Sequence, residues 1–237
     1  MDRSKLMSDL PLIERDRELL KLLQCASART PVLLIGSPGL GRTRLLRELG
    51  ERLTAEGIDS LYIPFVQPLH AFLVSMAARL ALPTVNNSSV ALRGLLWKAL
   101  EDHPRVLLLD DIAKATLQVY RFFERVLYIP GMTLIATGAH VYGIGALQRI
   151  FWNHQSVVSL PPLTKQGALI LTQQATKLYA ADLAEDEGFQ ERVVQVARGN
   201  PGRIVEMCRR AANPTYRDGG RVRFAALSID SLTRLVP

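Results

Sequence analysis

GSPGLGRTRL, residues 36–45, decides how the rest of the chain is read. Glycine stands at 36, 39 and 41, and Thr43 follows two positions later. Glycines let successive backbone N–H groups turn inward, and a helix N-terminus adds a favourable dipole. A glycine-rich turn between a strand and a helix therefore suits phosphate oxygens. The flanks supply that context. PVLLIG (31–36) is a short apolar run ending in glycine, as a doubly buried parallel strand should be. RTRLLRELGERLTAEG (42–57) predicts a helix closed by Gly57. Gly36, Ser37, Pro38, Gly39, Leu40, Gly41, Arg42, Thr43 and Arg44 are the candidate nucleotide-binding positions, and the Thr43 hydroxyl is a candidate Mg²⁺ ligand.

Outward from the loop, helical and strand periodicities alternate. ERDRELLKLLQCA (14–26) precedes it as a helix, and SLYIPF (60–65) follows as a second strand. PLHAFLVSMAARLAL (68–82) and ALRGLLWKALEDH (91–103) predict helices, separated by the loop PTVNNSSV (83–90). RVLLLDD (105–111) is a third strand, KATLQVYRFFERVLY (114–128) a helix, MTLIATG (132–138) a fourth strand and SVVSL (156–160) a fifth. This order predicts an α/β core with a parallel five-stranded sheet covered by helices. After Leu160 the strand signal nearly stops and three helical stretches follow. The expected organisation is a core over 1–160, a small helical lid over 161–213 and a basic extension over 214–237. The extension forms a hairpin through Gly219-Gly220 and a last helical turn.

A second motif supports the first. VLLLDD (106–111) ends a buried strand on two carboxylates, placed by this reading beside the loop strand. Asp110 can hold the Mg²⁺ shell, and Asp111 can polarise a water for attack on a γ-phosphate. Thr137, ending the fourth strand, either orients that water or caps the next turn. Arg203, in GNPGR (199–203), is a candidate contact to the β- and γ-phosphates that couples nucleotide state to the lid angle. Arg149, in ALQRIFW (146–152), either reaches a neighbouring subunit's nucleotide or makes a structural salt bridge. Phe151 and Trp152 are expected in the core, and His140 is read as a surface or packing residue.

Composition narrows the class. Of 237 residues 48% are hydrophobic and 22% charged, as in ordinary globular domains. Cys25 and Cys208 show no metal-ligand spacing and read as two buried thiols in a reducing compartment. No secretory signal is visible. The most apolar window, LYIPFVQPLHAFLVSMAARLALP (61–83), is interrupted by Pro64, Gln67, Pro68, His70 and Arg79, so no membrane span is expected and the compartment is read as cytoplasmic. The net charge of +7 is concentrated at the end, where eight arginines from Arg198 onward meet three carboxylates. That surplus suits DNA or an acidic partner, or else simply solvates a helical face.

Taken together, these motifs resemble the AAA+ and STAND group of P-loop ATPases, near the Orc/Cdc6, TniB/TnsC-like and NB-ARC types. The likeness runs from IERDRELLKLL (13–23) to CRRAAN (208–213). The first stretch is similar to the family's GRExEL box, which lies against adenine. Arg15, Glu18 and Leu19 fit, and Glu14 replaces the glycine. The resemblance implies Walker A at Gly36, Gly41 and Thr43, Walker B at Asp110 and Asp111, sensor 1 at Thr137 and sensor 2 at Arg203. It further implies ATP or ADP with Mg²⁺ as cofactors, a homo-oligomer, and a client protein of unknown identity.

One residue departs from the pattern. Arg42 stands where the family has lysine. Arginine keeps the charge but is longer and planar, so it weakens transition-state stabilisation more than ground-state binding. The expectation is an ATP-dependent switch that hydrolyses slowly and assembles on DNA as a transposition or replication helper. The alternative is a signalling or scaffold module holding nucleotide structurally, and only six of the 29 basic residues being lysine also fits neutral replacement. A GTPase is disfavoured because no NKxD sequence is present.

Overall fold

The computed structural model describes residues 10–84, 88–153, 156–218 and 221–233. Its chain contacts divide into two units, one holding residues 17–36 and 42–160, the other residues through Asp16, residues 37–41 and the chain from Pro161 onward.

The first unit carries the sheet. Its elements run α1 (Asp16–Ser27), β1 (Val32–Ile35), α2 (Arg42–Ala55), β2 (Ser60–Ile63), α3 (Leu69–Arg79), α4 (Ser89–Asp102), β3 (Val106–Ile112), α5 (Leu117–Leu127), β4 (Thr133–Gly138) and β5 (Val157–Ser159). The strands are all parallel, in the order β2-β3-β4-β1-β5. The carboxylate strand β3 is thus not beside the loop strand, as the sequence suggested: β4 lies between them. Parallel strands buried on both faces look alike in sequence, so their order is set by crossover connections that local periodicity does not encode.

The helices are amphipathic where they face the sheet. On α2, Leu45, Leu46, Leu49 and Leu53 are buried, one stripe of a 3.6-residue period. On α5 the stripe is Val119, Phe122, Phe123 and Val126, and Thr116 caps the helix by accepting from Val119 N. That cap starts α5 three residues later than the periodicity alone suggested. The Phe122 ring packs edge-on to Phe72 and Phe123 and stacks on Trp97, forming the aromatic centre of this core. Phe151 is buried as expected, but Trp152 is 82% exposed. Residues 146–151 form a 3-10 helix that buries Leu147 and Phe151, and Trp152 follows as its outward-facing C-cap.

The second unit is helical: α6 (Lys165–Tyr179), α7 (Glu187–Ala197), α8 (Pro201–Ala211), a two-residue ladder of β6 (Arg217–Asp218) with β7 (Arg221–Val222), and α9 (Phe224–Thr233). The closing helix is ten residues long rather than a single turn. Gly219, Gly220, Arg234 and residues 85–87 of the earlier loop lie outside the described residues. The core of this unit includes Leu171, Phe189, Val193, Ile204, Met207 and Leu227. Cys208 sits inside it, and burial pushes its thiol up to about 11, which keeps it protonated and unreactive; Cys25 is only half-buried.

Residues 10–16 and 37–41 group with these helices, although the sequence assigned them to the core, because polar contacts bind them there. The Glu14 carboxylate accepts from the Thr164 amide at 2.8 Å and from the Thr164 hydroxyl. Arg15 donates to Pro161 O at 2.8 Å, and Gly202 N donates to Gly39 O at 2.9 Å.

The basic end is also less free than its composition suggests. Glu206 accepts from both Arg209 and Arg210, and Arg217 is paired with Asp182. Among the described residues, no helix is long and apolar enough to cross a membrane.

Phe122→Ala should cost about 3–5 kcal/mol in urea denaturation, because it empties the middle of an aromatic cluster. Tyr128→Ala, on a side chain 80% exposed, should stay within about 0.5 kcal/mol.

Candidate nucleotide site

At the C-terminal end of the sheet, β3 breaks register with β4. Leu109 pairs with Ala136 and Ile112 with Gly138, so Asp110 and Asp111 together face the single residue Thr137. An extra residue in one strand bends it and leaves a ladder amide unpaired. Here the Thr137 side chain repairs the loss: Asp111 N donates to Thr137 Oγ1 at 2.8 Å. Asp111 takes a left-handed conformation, φ 44°, which aspartate tolerates better than most residues. The bulge turns the two carboxylates apart. Asp110 is buried at 4% exposure, whereas the Asp111 side chain is 70% exposed.

Three hydroxyls hold Asp110. Its Oδ1 accepts from Thr137 at 2.8 Å and from Thr43 at 3.2 Å, and its Oδ2 accepts from Tyr62 at 2.6 Å. Loss of water around Tyr62, then its bond to Asp110, raises that phenol to about 12, so it remains a donor at neutral pH. The Thr43 proton goes to Asp110, which leaves the Thr43 oxygen lone pairs for a hard cation. Among the described residues, no group of three or more His, Cys, Asp or Glu side chains is placed to bind metal. A cation held by Thr43 and Asp110 would take its other ligands from phosphate and water, which is the habit of Mg²⁺.

Arg42 opens α2 and reaches back across this end of the sheet. Its guanidinium donates to the Gly36 carbonyl, and its Nη2 lies 2.7 Å from Asp111 Oδ1. The unusual loop residue and the exposed carboxylate are therefore a bonded pair. Arg149 lies apart from them, exposed, with its guanidinium 5.5 Å from the Tyr120 ring centroid. His140 caps the 3-10 turn after β4 by accepting from Gly143 N, a local packing role.

The helical unit grips the middle of the loop. Gly39 and Gly41 have φ of 84° and 95°, conformations natural to glycine. Asn200 does two things at once. Its Oδ1 caps α8 by accepting from Arg203 N at 3.1 Å, and its Nδ2 donates to Pro38 O at 2.9 Å. A Cβ on Gly39 would come within 2.5 Å of Asn200 Oδ1, so this position has no room for a side chain. Arg203 follows in the first turn of α8, where burial and then the nearby Arg198 disfavour its charge. Arg15 is 4% exposed and is spent on the carbonyls of Glu14, Leu40 and Pro161.

Comparison with known proteins agrees with this geometry. Residues 25–139 match the family described as an AAA domain. That stretch is similar to AAA domains, and it holds both the glycine-rich loop and the two carboxylates. The chain superposes with a TM-score of 0.62 on a Walker-type ATPase of Pyrococcus abyssi, at 17% identity, covering 94% of this chain and 75% of the other. Domain III of the replication initiation protein DnaA from Thermotoga maritima gives 0.60 at 14% identity, covering 96% and 94%. A STAND protein with a tetratricopeptide repeat sensor from Pyrococcus horikoshii gives 0.53 at 15%, covering 96% of this chain and 34% of that one. At such identities the likeness carries the fold: a five-stranded P-loop sheet with flanking helices. No curated protein sequence matches the chain.

Two features of this site had only weak sequence signals. Tyr62 is one aromatic in an apolar run, with no spacing that marks it. Thr137 was singled out, but its hydroxyl serves the strand bulge and neither caps the following turn nor stands free. Thr137→Val should cost about 1–3 kcal/mol by denaturation, because a buried amide loses its acceptor. Thr137→Ser should recover most of that loss.

Proposed function

We propose that this AAA-type chain binds ATP with Mg²⁺ and acts as a nucleotide-dependent switch with slow hydrolysis. The observation that carries the reading is the Arg42–Asp111 pair at 2.7 Å. A general base needs a free lone pair near its substrate proton, and Arg42 occupies one of those on Asp111. An incoming γ-phosphate must draw Arg42 away before Asp111 can serve an attacking water. Thr43 and Asp110 would hold the metal, which would supply positive charge against the phosphate charge that develops during transfer. Thr137 fixes the backbone from which Asp111 projects.

In this reading residues 161–213 act as the lid and 214–237 as its extension. Arg203 contacts the phosphates of a nucleotide held by the loop that Asn200 grips, and Arg15 supports the loop from behind through Leu40. Arg149 stands exposed on its 3-10 helix, available to the nucleotide of a second copy. The rival reading, a scaffold that retains ADP without turnover, draws on the same pair.

Calorimetry with ATP and Mg²⁺, together with a turnover assay, tests this. Wild-type chain should bind and turn over well below the ~1 per second that marks the slow edge of ordinary enzymes. Arg42→Lys should raise turnover roughly tenfold or more, which corresponds to about 1.4 kcal/mol of barrier. Ordinary rates in the wild type, unimproved by lysine, would overturn the reading. ADP that cannot be exchanged would favour the scaffold.

Assembly on DNA is the wider part of the proposal. It is supported by the basic C-terminal stretch and by the likeness to DnaA, a replication initiation protein. The internal pairing of Arg209, Arg210 and Arg217 leaves Arg198 and Arg223 as the exposed cations described there. DNA retention should depend on ATP and fall steeply with salt, and by ion-release arithmetic two phosphate contacts per copy give a log–log slope near −2. Retention that ignores salt would remove the DNA role.

A further inference from the structure

β2 is an edge strand, and Tyr62 sits on it in register with Leu108 of β3, two residues before Asp110. A half-buried tyrosine at a sheet edge can satisfy its hydroxyl with water. This one instead donates to Asp110 Oδ2 at 2.6 Å, the length of a charge-assisted bond. Arg47 lies one turn beyond Thr43 on α2, and its guanidinium is 5.7 Å from the Tyr62 ring centroid. The face of α2 that supplies Thr43 to one carboxylate oxygen thus also supports the tyrosine that holds the other.

Acceptor capacity gives this contact its meaning. An ionised carboxylate has about four lone-pair sites, two per oxygen. Thr43 and Thr137 use both on Oδ1. Tyr62 uses one on Oδ2 and leaves a single site open. Turning about Cβ–Cγ sweeps both oxygens together, so the two threonines on Oδ1 resist it from one side and Tyr62 on Oδ2 resists it from the other. Without Tyr62 the torsion is held from one side only, and the direction of the open lone pair on Oδ2 is less narrowly set.

We infer that Tyr62 is a positioning residue for the Mg²⁺ site: it aims the open lone pair of Asp110 at the hydrated cation that accompanies the nucleotide. The inference rests on the proposed nucleotide-binding function and adds a determinant of its metal dependence. Tyr62 touches neither phosphate nor the reacting water, so its effect appears in metal affinity before it appears in chemistry.

The test is equilibrium binding of a fluorescent ADP analogue to wild type and Tyr62→Phe, first in EDTA and then across a Mg²⁺ titration. Affinity in EDTA should agree within about twofold, since the phosphate loop is untouched. Half-saturating Mg²⁺ should rise roughly tenfold, the usual scale for losing a group that orients a metal ligand. Asp110→Asn should raise it as well, and Tyr62→Phe should add nothing further in that background, because the two act through one carboxylate. Unchanged Mg²⁺ dependence, equal losses with and without Mg²⁺, or additive effects in the double variant would each overturn the inference while leaving nucleotide binding intact. A wild-type chain that binds no nucleotide would overturn the parent reading and this one together.

Discussion

Two residues of β3 face one of β4, and the chemistry at this end of the sheet follows from that mismatch. In an unbroken strand the carboxylates at 110 and 111 would simply alternate between faces. The bulge lets Asp110 drop into the sheet, where three hydroxyls meet it, and lifts Asp111 out to 70% exposure. Its cost is one unpaired amide and one left-handed aspartate, of order 1–2 kcal/mol each. A single threonine hydroxyl offsets the first by accepting from Asp111 N while donating to Asp110. Thr137 can do this because β4 lies beside β3, a consequence of strand order and not of any local motif.

The same bulge decides what Arg42 can reach. A lysine ammonium is a compact point charge, whereas guanidinium is a planar fork that donates in two directions. Arg42 uses both, one arm on the Gly36 carbonyl and one on Asp111. An ion pair with one partner this exposed is worth at most about 1 kcal/mol. Charge-assisted bonds to phosphate reach about 1.5–3 kcal/mol, so the pair with Asp111 is the weaker of the two partners open to a guanidinium placed here.

The parts legible in sequence were those that are contiguous. The loop at 36–44 and the paired carboxylates at 110–111 each announce themselves within a few residues, because backbone geometry and strand burial are local demands. Tyr62 is invisible by the same logic: its role depends on β2 pairing with β3, 48 residues away from its partner. Trp152 misled because two adjacent aromatics were given one environment, whereas Phe151 ends the 3-10 helix on its buried side and Trp152 is the exposed cap beyond it. At the arginine-rich end, spacing carried more than composition did. Glu206 stands three and four residues before Arg209 and Arg210, the helical spacing of ion pairs, so the signal was present and net charge concealed it.

The grip of Asn200 on the glycine-rich loop shows how a helix start can fix a loop backbone through its carbonyls. In a trans peptide the carbonyl and the following N–H point in opposite directions. Asn200 holds the Pro38 carbonyl and the Gly202 amide holds the Gly39 carbonyl, so both peptide planes are fixed from behind. The Leu40 amide is used inside the loop, donating to Ser37 O at 3.2 Å. The Gly39 amide then faces away from Asn200, held in orientation before any ligand arrives. Gly39 is required twice over, for φ of 84° and for the missing Cβ that would otherwise strike Asn200. A side chain at 39 would damage the loop and its support together, and loosening Asn200 would release the orientation of a donor some distance from the asparagine itself.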